Sequence, residues 1–276
     1  MIETINIIKD SVDELVVEGC KFVIKNGVPI SSKAGDALQC YNVNYILTNP
    51  RNRVHTLRKQ AKKYLCNELI AYFNGSLYVA DGLGKASKFW YSLADEEGKI
   101  NSNYGFYIFH EPPPIYESQY LWALNSLQKN IHSRRAIINI NQAYHKDNTK
   151  DFPCTTAILF FIKDNKLFCD VLSRSTDLVT GLPYDIGFFS LVHELLYQNL
   201  IDYGMNDLEL GYTTMKTSFT QIYNKTMDKA NYILENQALN KAEFMPKIDN
   251  ANKTLYDIYH KTQHTEIMKW IIENAE

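Results

Sequence analysis

Apolar residues come in short blocks separated by polar turns, and their spacing changes along the chain. The first 27 residues predict a short helix and then a strand, Leu15 to Ile24, closed by Asn26-Gly27. A polar loop follows, Pro29 to Gly35. The turn Asn49-Pro50-Arg51-Asn52-Arg53 leads into a helix from about Thr56 to Phe73, with Leu57, Ala61, Leu65, Leu69, Tyr72 and Phe73 at helical spacing. Pro112-Pro113-Pro114 is a stiff break, and a helix is expected from about Glu117 to Lys129. Ala157 to Ile162 and Leu167 to Leu172 read as two strands joined by a hairpin turn over Lys163-Asp164-Asn165-Lys166. A long apolar helix spans 186–203, a strand-like return covers Leu208 to Tyr212, and Asn250 to Glu276 reads as one Lys- and Glu-bearing helix. Strands and helices interleave throughout, which places the chain in the α/β (α+β) class.

Composition narrows the picture. With 276 residues, 45% hydrophobic and 22% charged, the chain suits one large domain, 1–276, with a substantial core. Its formal charge of −2 supplies no global basic field for nucleic acid, so an anionic ligand would need local Arg and Lys. No apolar run approaches a membrane span, and the first residues lack a signal-peptide pattern. Five Cys (20, 40, 66, 154 and 169) stand at scattered spacings, as expected of reduced thiols in a cytoplasmic protein. His193-Glu194 does not continue to HExxH, because position 197 is Tyr, so no metal site is expected. Gly82 to Ser87 lacks the phosphate-loop frame.

The stretch Asp151 to Gly187 concentrates the candidate chemistry: Cys154 before one strand, Arg174-Ser175-Thr176-Asp177 at the end of the next, then Gly181-Leu182-Pro183 and Asp185. Singly, each has an ordinary reading. A lone Cys is commonly a small buried hydrophobe, Asp185 could cap the helix that follows, and Arg174 could pair with Asp177.

Taken together, Pro-Cys, Arg-Ser-x-Asp, Gly-Leu-Pro-Tyr and the following helix resemble the thymidylate synthase superfamily over roughly residues 28 to 230. Departures point to the deoxycytidylate hydroxymethylase branch. Asp185 stands where the family's uracil-reading Asn would be, Cys154-Thr155 replaces Cys-His, and Ile100-Asn-Ser-Asn-Tyr-Gly105 looks like the same branch. The resemblance implies a large mixed β-sheet covered by helices, with sheets packing across a homodimer interface and active sites shared between subunits. Arg134 and Arg135 would reach the partner's nucleotide phosphate. It implies Cys154 as nucleophile, Glu68 and Tyr104 in proton transfer near carbon 5 of the base, and Arg174 and Ser175 on the nucleotide. Tyr223 and Gln221 would lie at the sugar, Gln221 standing where the family has His. Lys33 lies nearest a phosphate-closing Arg but lacks its bidentate fork. Trp90, Asp177 and Gly181 would lie at a folate, and 5,10-methylenetetrahydrofolate would be the one-carbon donor. The tail does not match the family's folate-closing segment, and Asn67 replaces the His before Glu68.

On that resemblance the expected substrate is a pyrimidine nucleotide monophosphate. A carboxyl at position 185 accepts from the cytosine amino group and, when protonated, donates to the ring nitrogen; ionised, it offers uracil no donor. The expected reaction is 5-hydroxymethylation of dCMP or CMP. Alternatives are methylation of dUMP or dCMP, and a catalytically silent nucleotide-binding homologue.

Overall fold

The computed structural model describes residues 3–147, 149–239 and 243–276. The chain begins with strand β1 (Ile5–Lys9) and helix α1 (Val12–Asn26), the reverse of the expected order. Val12, Val16, Val17 and Val23 favour a strand locally, but Ser11 and Glu14 form a reciprocal capping box, and Val12, Leu15, Val16, Cys20 and Val23 fall on one buried face. Tertiary burial of that face overrides the β-branched propensity.

The expected loop at Pro29–Gly35 is instead a hairpin of β2 (Val28–Ser32) and β3 (Gly35–Leu47), with Lys33 at its exposed tip. Being paired on one side only and mostly exposed, β2 needs no apolar face, so its sequence looks like a loop. Helix α2 (Ala61–Asn74) starts five residues later than the periodicity suggests, after Gln60 at φ 63°. Helix α3 (Gln119–Lys129) and, after the short strand β4 (Ile137–Asn139), strands β5 (Thr155–Lys163) and β6 (Lys166–Asp177) follow; α3, β5 and β6 lie where the pattern placed them. Asp164 and Asn165, at φ 51° and 55°, make the two-residue β5–β6 turn.

Helix α4 (Leu182–Asp202) is buried along most of its length and is followed by β7 (Glu209–Tyr223) and α5 (Met227–Glu235). The expected single C-terminal helix is two, α6 (Ala251–His260) and α7 (Glu266–Ala275). Lys261 turns the chain between them at φ 56°, and the buried Asp257 carboxylate holds the connection through Thr262, His264 and Thr265.

Among the described residues, seven strands form one mixed sheet in the order β1-β3-β7-β6-β5-β4, with β2 beside β3. The β1–β3 and β6–β7 pairs are parallel and the others antiparallel. α1 and α4 pack together against this sheet, and the core lies between them and it. Tyr41, Leu172, Tyr212 and Phe219 remain exposed on the sheet.

Candidate active site

The thiol of Cys154 lies at the mouth of β5, beside the end of β6. The backbone N–H of Arg174 donates to the Cys154 carbonyl at 2.9 Å, and the Ser175 hydroxyl donates to Cys154 Sγ at 3.5 Å. The Arg174 guanidinium turns toward the same segment: Nη2 donates to the Phe152 carbonyl at 2.7 Å and Nε to the Pro153 carbonyl at 3.1 Å. It makes no ion pair with Asp177. Arg174 therefore buttresses the loop that presents the thiol, with N–H groups left over for an anion. Burial pushes the Cys154 thiol above its usual pKa, against the opposing influence of Arg174 and Ser175. Arg174 favours the thiolate, but burial outweighs it in the free chain.

Helix α2 brings Glu68 to the same place. Its side chain is buried, Tyr64 one turn earlier donates to Oε1 at 3.0 Å, and Oε2 has no partner among the described residues. Burial, then the charge of Asp185, push the Glu68 pKa up to about 8, against the Tyr64 hydrogen bond. Asp185 lies in the first turn of α4, four residues beyond the N-cap Gly181, so it is not the helix cap. Burial pushes its carboxyl up to about 7. Its charge also acts on Tyr104 and Cys154, which places these groups around one space. Two crowded carboxyls with such pKa values hold a proton near neutrality.

Tyr104 is buried between Tyr72 and Phe189, each stacked at 5.5 Å. The Asn101–Ser102 segment before it is pinned by Asp151, which accepts from both backbone N–H groups at 2.7 Å and from the Ser102 hydroxyl at 2.7 Å. Asp151 was not singled out in the sequence. Its only signal there is a carboxylate three residues before the Cys.

Tyr64 was missed as well, although its i,i+4 spacing to Glu68 was legible. The Trp90 indole N–H, buried and without a well-formed hydrogen bond, lies beside the Tyr64 hydroxyl and acts to lower its pKa. Arg58 completes this wall: Nη1 donates to the Val179 carbonyl at 2.8 Å and the Tyr184 hydroxyl at 3.2 Å, while the Tyr184 ring lies 4.4 Å from that of Tyr64.

Asp177 and Gly181 build the turn from β6 into α4. Asp177 Oδ1 accepts from the N–H groups of Val179 at 2.8 Å and Thr180 at 3.0 Å. A Cβ at Gly181 would stand 2.9 Å from the Asp177 carbonyl oxygen, so the close approach requires glycine. Gln221 is the register partner of Asp177, and Tyr223, at the end of β7, feels the charges of Asp177, Cys154 and Arg174. Lys33 sits exposed beyond Ser32, whose hydroxyl acts on Tyr223.

Arg134 and Arg135 do not join this cluster. They are exposed before β4, and the register Ile137↔Leu159 puts them beside the far end of β5. At ~3.3 Å per residue, that is ~20 Å from Cys154. His193 and Glu194 are structural. His193 bonds the Thr213 hydroxyl at 2.9 Å and the Leu167 carbonyl at 3.0 Å, while Glu194 is paired with Arg51 at 2.6 Å and with the buried Arg53.

The thymidylate synthase family model matches residues 16–269. The chain belongs to the thymidylate synthase family. The match extends past the 28–230 of the motif resemblance at both ends. The chain is also similar to the deoxycytidylate 5-hydroxymethyltransferases of Enterobacteria phages T4 and T2, at 35% identity over 143 residues, 50% of this chain and 57% of each relative. The chain thus spans little more than half the length of the curated relatives it matches. Members of this family carry out one-carbon transfer on pyrimidine nucleotide monophosphates. Among the described residues no helix is long and apolar enough to cross a membrane.

Proposed function

We propose that this member of the thymidylate synthase family is a folate-dependent 5-hydroxymethyltransferase acting on a cytidine monophosphate. The observation that carries the reading is Asp185, a carboxyl held near pKa 7 beside Glu68 and Cys154. When protonated, it donates to cytosine N3 while its other oxygen accepts from the exocyclic amino group. A neutral Asp185 also removes a negative charge that otherwise raises the Cys154 pKa. The form that reads cytosine is thus the form that eases thiolate formation.

Cys154 Sγ adds to carbon 6 of the ring, which makes carbon 5 nucleophilic. Bound 5,10-methylenetetrahydrofolate supplies the one-carbon unit as an electrophile. Trp90 would hold its ring system beside the exposed Phe89 and Tyr91, and the unsatisfied buried indole N–H fits a polar ligand there. Asp177 and Gly181, at the β6–α4 turn, would shape the other wall. A neutral Asp185 also removes the charge that raises the Glu68 pKa. In its ionised form, with Oε2 free, Glu68 takes up the proton lost from carbon 5 and orients water, while Tyr104 stands near the same carbon. Loss of that proton, with tetrahydrofolate as the leaving group, gives an exocyclic methylene on the nucleotide; water adds to it, and expulsion of Cys154 restores the ring. Arg174 and Ser175 hold the nucleotide from the β6 end, with Tyr223 and Gln221 at the sugar.

Arg134, Arg135 and Lys33 complete the phosphate site in this reading. The two arginines come from the second subunit of a homodimer, since they lie too far from their own Cys154. The exposed aromatic and aliphatic side chains of the sheet suit such an interface. The chain is read as a single cytoplasmic domain.

Mass spectrometry of the product tests the reaction. Incubation of dCMP or CMP with methylenetetrahydrofolate should add CH2O to the nucleotide, with no rise in dihydrofolate absorbance. A gain of CH2 with stoichiometric dihydrofolate would make the protein a methylase instead.

A further inference from the structure

Gln221 donates from Nε2 to Oε1 of Gln39 at 2.9 Å, across the β3–β7 pair. The register explains where this amide pair faces. The β3–β7 ladder passes from Val43↔Thr217 to Tyr41↔Phe219, skipping Asn42, which has φ 51°. Val43 and Thr217 are buried, whereas Tyr41 and Phe219 are exposed, so the side chains change faces at this irregularity. Gln39 pairs with Gln221, Gln221 with Asp177, and Phe219 with Ser175. The i,i+2 rule then puts Gln39, Gln221, Tyr223, Asp177 and Ser175 on one face. Ser175 is the residue that touches Cys154 Sγ.

The bond between the two amides fixes what they offer a ligand. Gln221 has spent one N–H and keeps its carbonyl oxygen as an acceptor; Gln39 has its carbonyl occupied and keeps its NH2 as a donor. Among the described residues no other hydrogen bond uses either free group. A donor and an acceptor side by side, both neutral, match a hydroxyl, which gives one hydrogen bond and takes one. They do not match a phosphate.

Resting on the nucleotide reading above, ring chemistry places the sugar here. Carbon 6, attacked by Cys154, adjoins N1, which carries the pentose; the N3 and amino edge read by Asp185 lies across the ring. The pentose therefore leaves the base on the Cys154–Ser175 side, over β6 and β7. Gln221 lies one strand and one side-chain step from Ser175, ~8 Å between Cα atoms by sheet geometry.

We propose that Gln39 is a specificity-determining residue, donating from Nε2 to a pentose hydroxyl that in turn donates to Oε1 of Gln221. Gln39 sits on a strand 182 residues away from its partner in the chain.

Calorimetric titration of the full chain, without folate, tests this with dCMP, CMP and 2′,3′-dideoxycytidine monophosphate. The wild type should bind dCMP roughly tenfold or more tightly than the dideoxynucleotide, because the latter leaves the amides unpaired. Gln39→Ala should remove most of that ratio. Gln39→Glu keeps an acceptor for Gln221 Nε2 but has no donor, and should behave like Gln39→Ala. Discrimination seen with dCMP assigns the 3′-hydroxyl; discrimination that appears only with CMP assigns the 2′-hydroxyl. If both variants keep the wild-type ratio, or Gln39→Glu alone keeps it, Gln39 does no more than hold Gln221 and the proposal is overturned. A wild-type chain that binds none of the three removes the nucleotide reading and this proposal with it.

Discussion

The Tyr64 hydroxyl donates to Oε1 of Glu68 at 3.0 Å, one helical turn apart on α2. This bond determines which oxygen of a buried carboxyl stays free to work. It also favours the ionised form of Glu68 against burial and the Asp185 charge. Tyr64→Phe should therefore push the Glu68 pKa further up, moving the acid limb of the kcat profile to higher pH. At pH 7 we expect kcat to fall roughly ten- to a hundredfold with KM little changed. A pH–rate series on both proteins checks it, and an unmoved acid limb would reduce Tyr64 to packing.

Cys154→Ser should abolish turnover while leaving nucleotide affinity within about tenfold, because the base and phosphate contacts remain. Of the five cysteines, Cys20, Cys40, Cys66 and Cys169 are buried and should be dispensable for chemistry. Turnover by the Ser variant comparable to wild type would sink the thiolate mechanism.

Asp185→Asn should shift preference from cytosine toward uracil nucleotides. Its pH behaviour gives a second readout. Wild-type dCMP binding should weaken as pH rises through about 7, where Asp185 loses the proton it donates. The Asn variant should lack that step. An unchanged substrate ratio, with only altered stability, would leave Asp185 without a part in base reading.

Glu68 also carries a stability signature. Its folded pKa of about 8 lies above the ordinary value near 4.3, so the unfolded chain binds fewer protons between those limits. Stability from this site is greatest below about pH 4 and declines as pH rises toward 8. Glu68→Gln should be more stable than wild type at pH 8 and indistinguishable from it at pH 4. Thermal melts at the two pH values measure the difference.

Asp151 holds the segment bearing Tyr104 through two backbone N–H groups and one hydroxyl. Asp151→Ala should cost about 3 kcal/mol of stability, since three donors, two of them buried, lose a charged acceptor. Urea unfolding measures it. An effect below about 0.5 kcal/mol, the size expected of an ordinary surface change, would contradict the pinning role.

The dimer in the proposed function predicts complementation. Arg135→Ala and Cys154→Ser homodimers should both be severely impaired, and mixing after reversible dissociation should restore activity. Hybrids that stay inactive would place Arg135 outside the partner's site.

Local sequence determined much of this protein. The β5–β6 hairpin was legible because its turn residues and alternation act over a few neighbours, and α3 and α4 because their periodicity is long. The order of Cys154, Arg174, Asp177, Gly181 and Asp185 was likewise legible as motifs. Tertiary structure decided the rest. It made Val12–Asn26 a helix despite its valines, because burying one face outweighs local preference. It made exposed Val28–Ser32 a strand through pairing with β3, which needs backbone groups and no apolar pattern. It raised the Asp185 and Glu68 pKa values, since burial, and for Glu68 the charge of Asp185, exist only once α2 and α4 meet. It also joined Gln39 to Gln221, because a ladder between distant strands is set by register and no short stretch of residues encodes it.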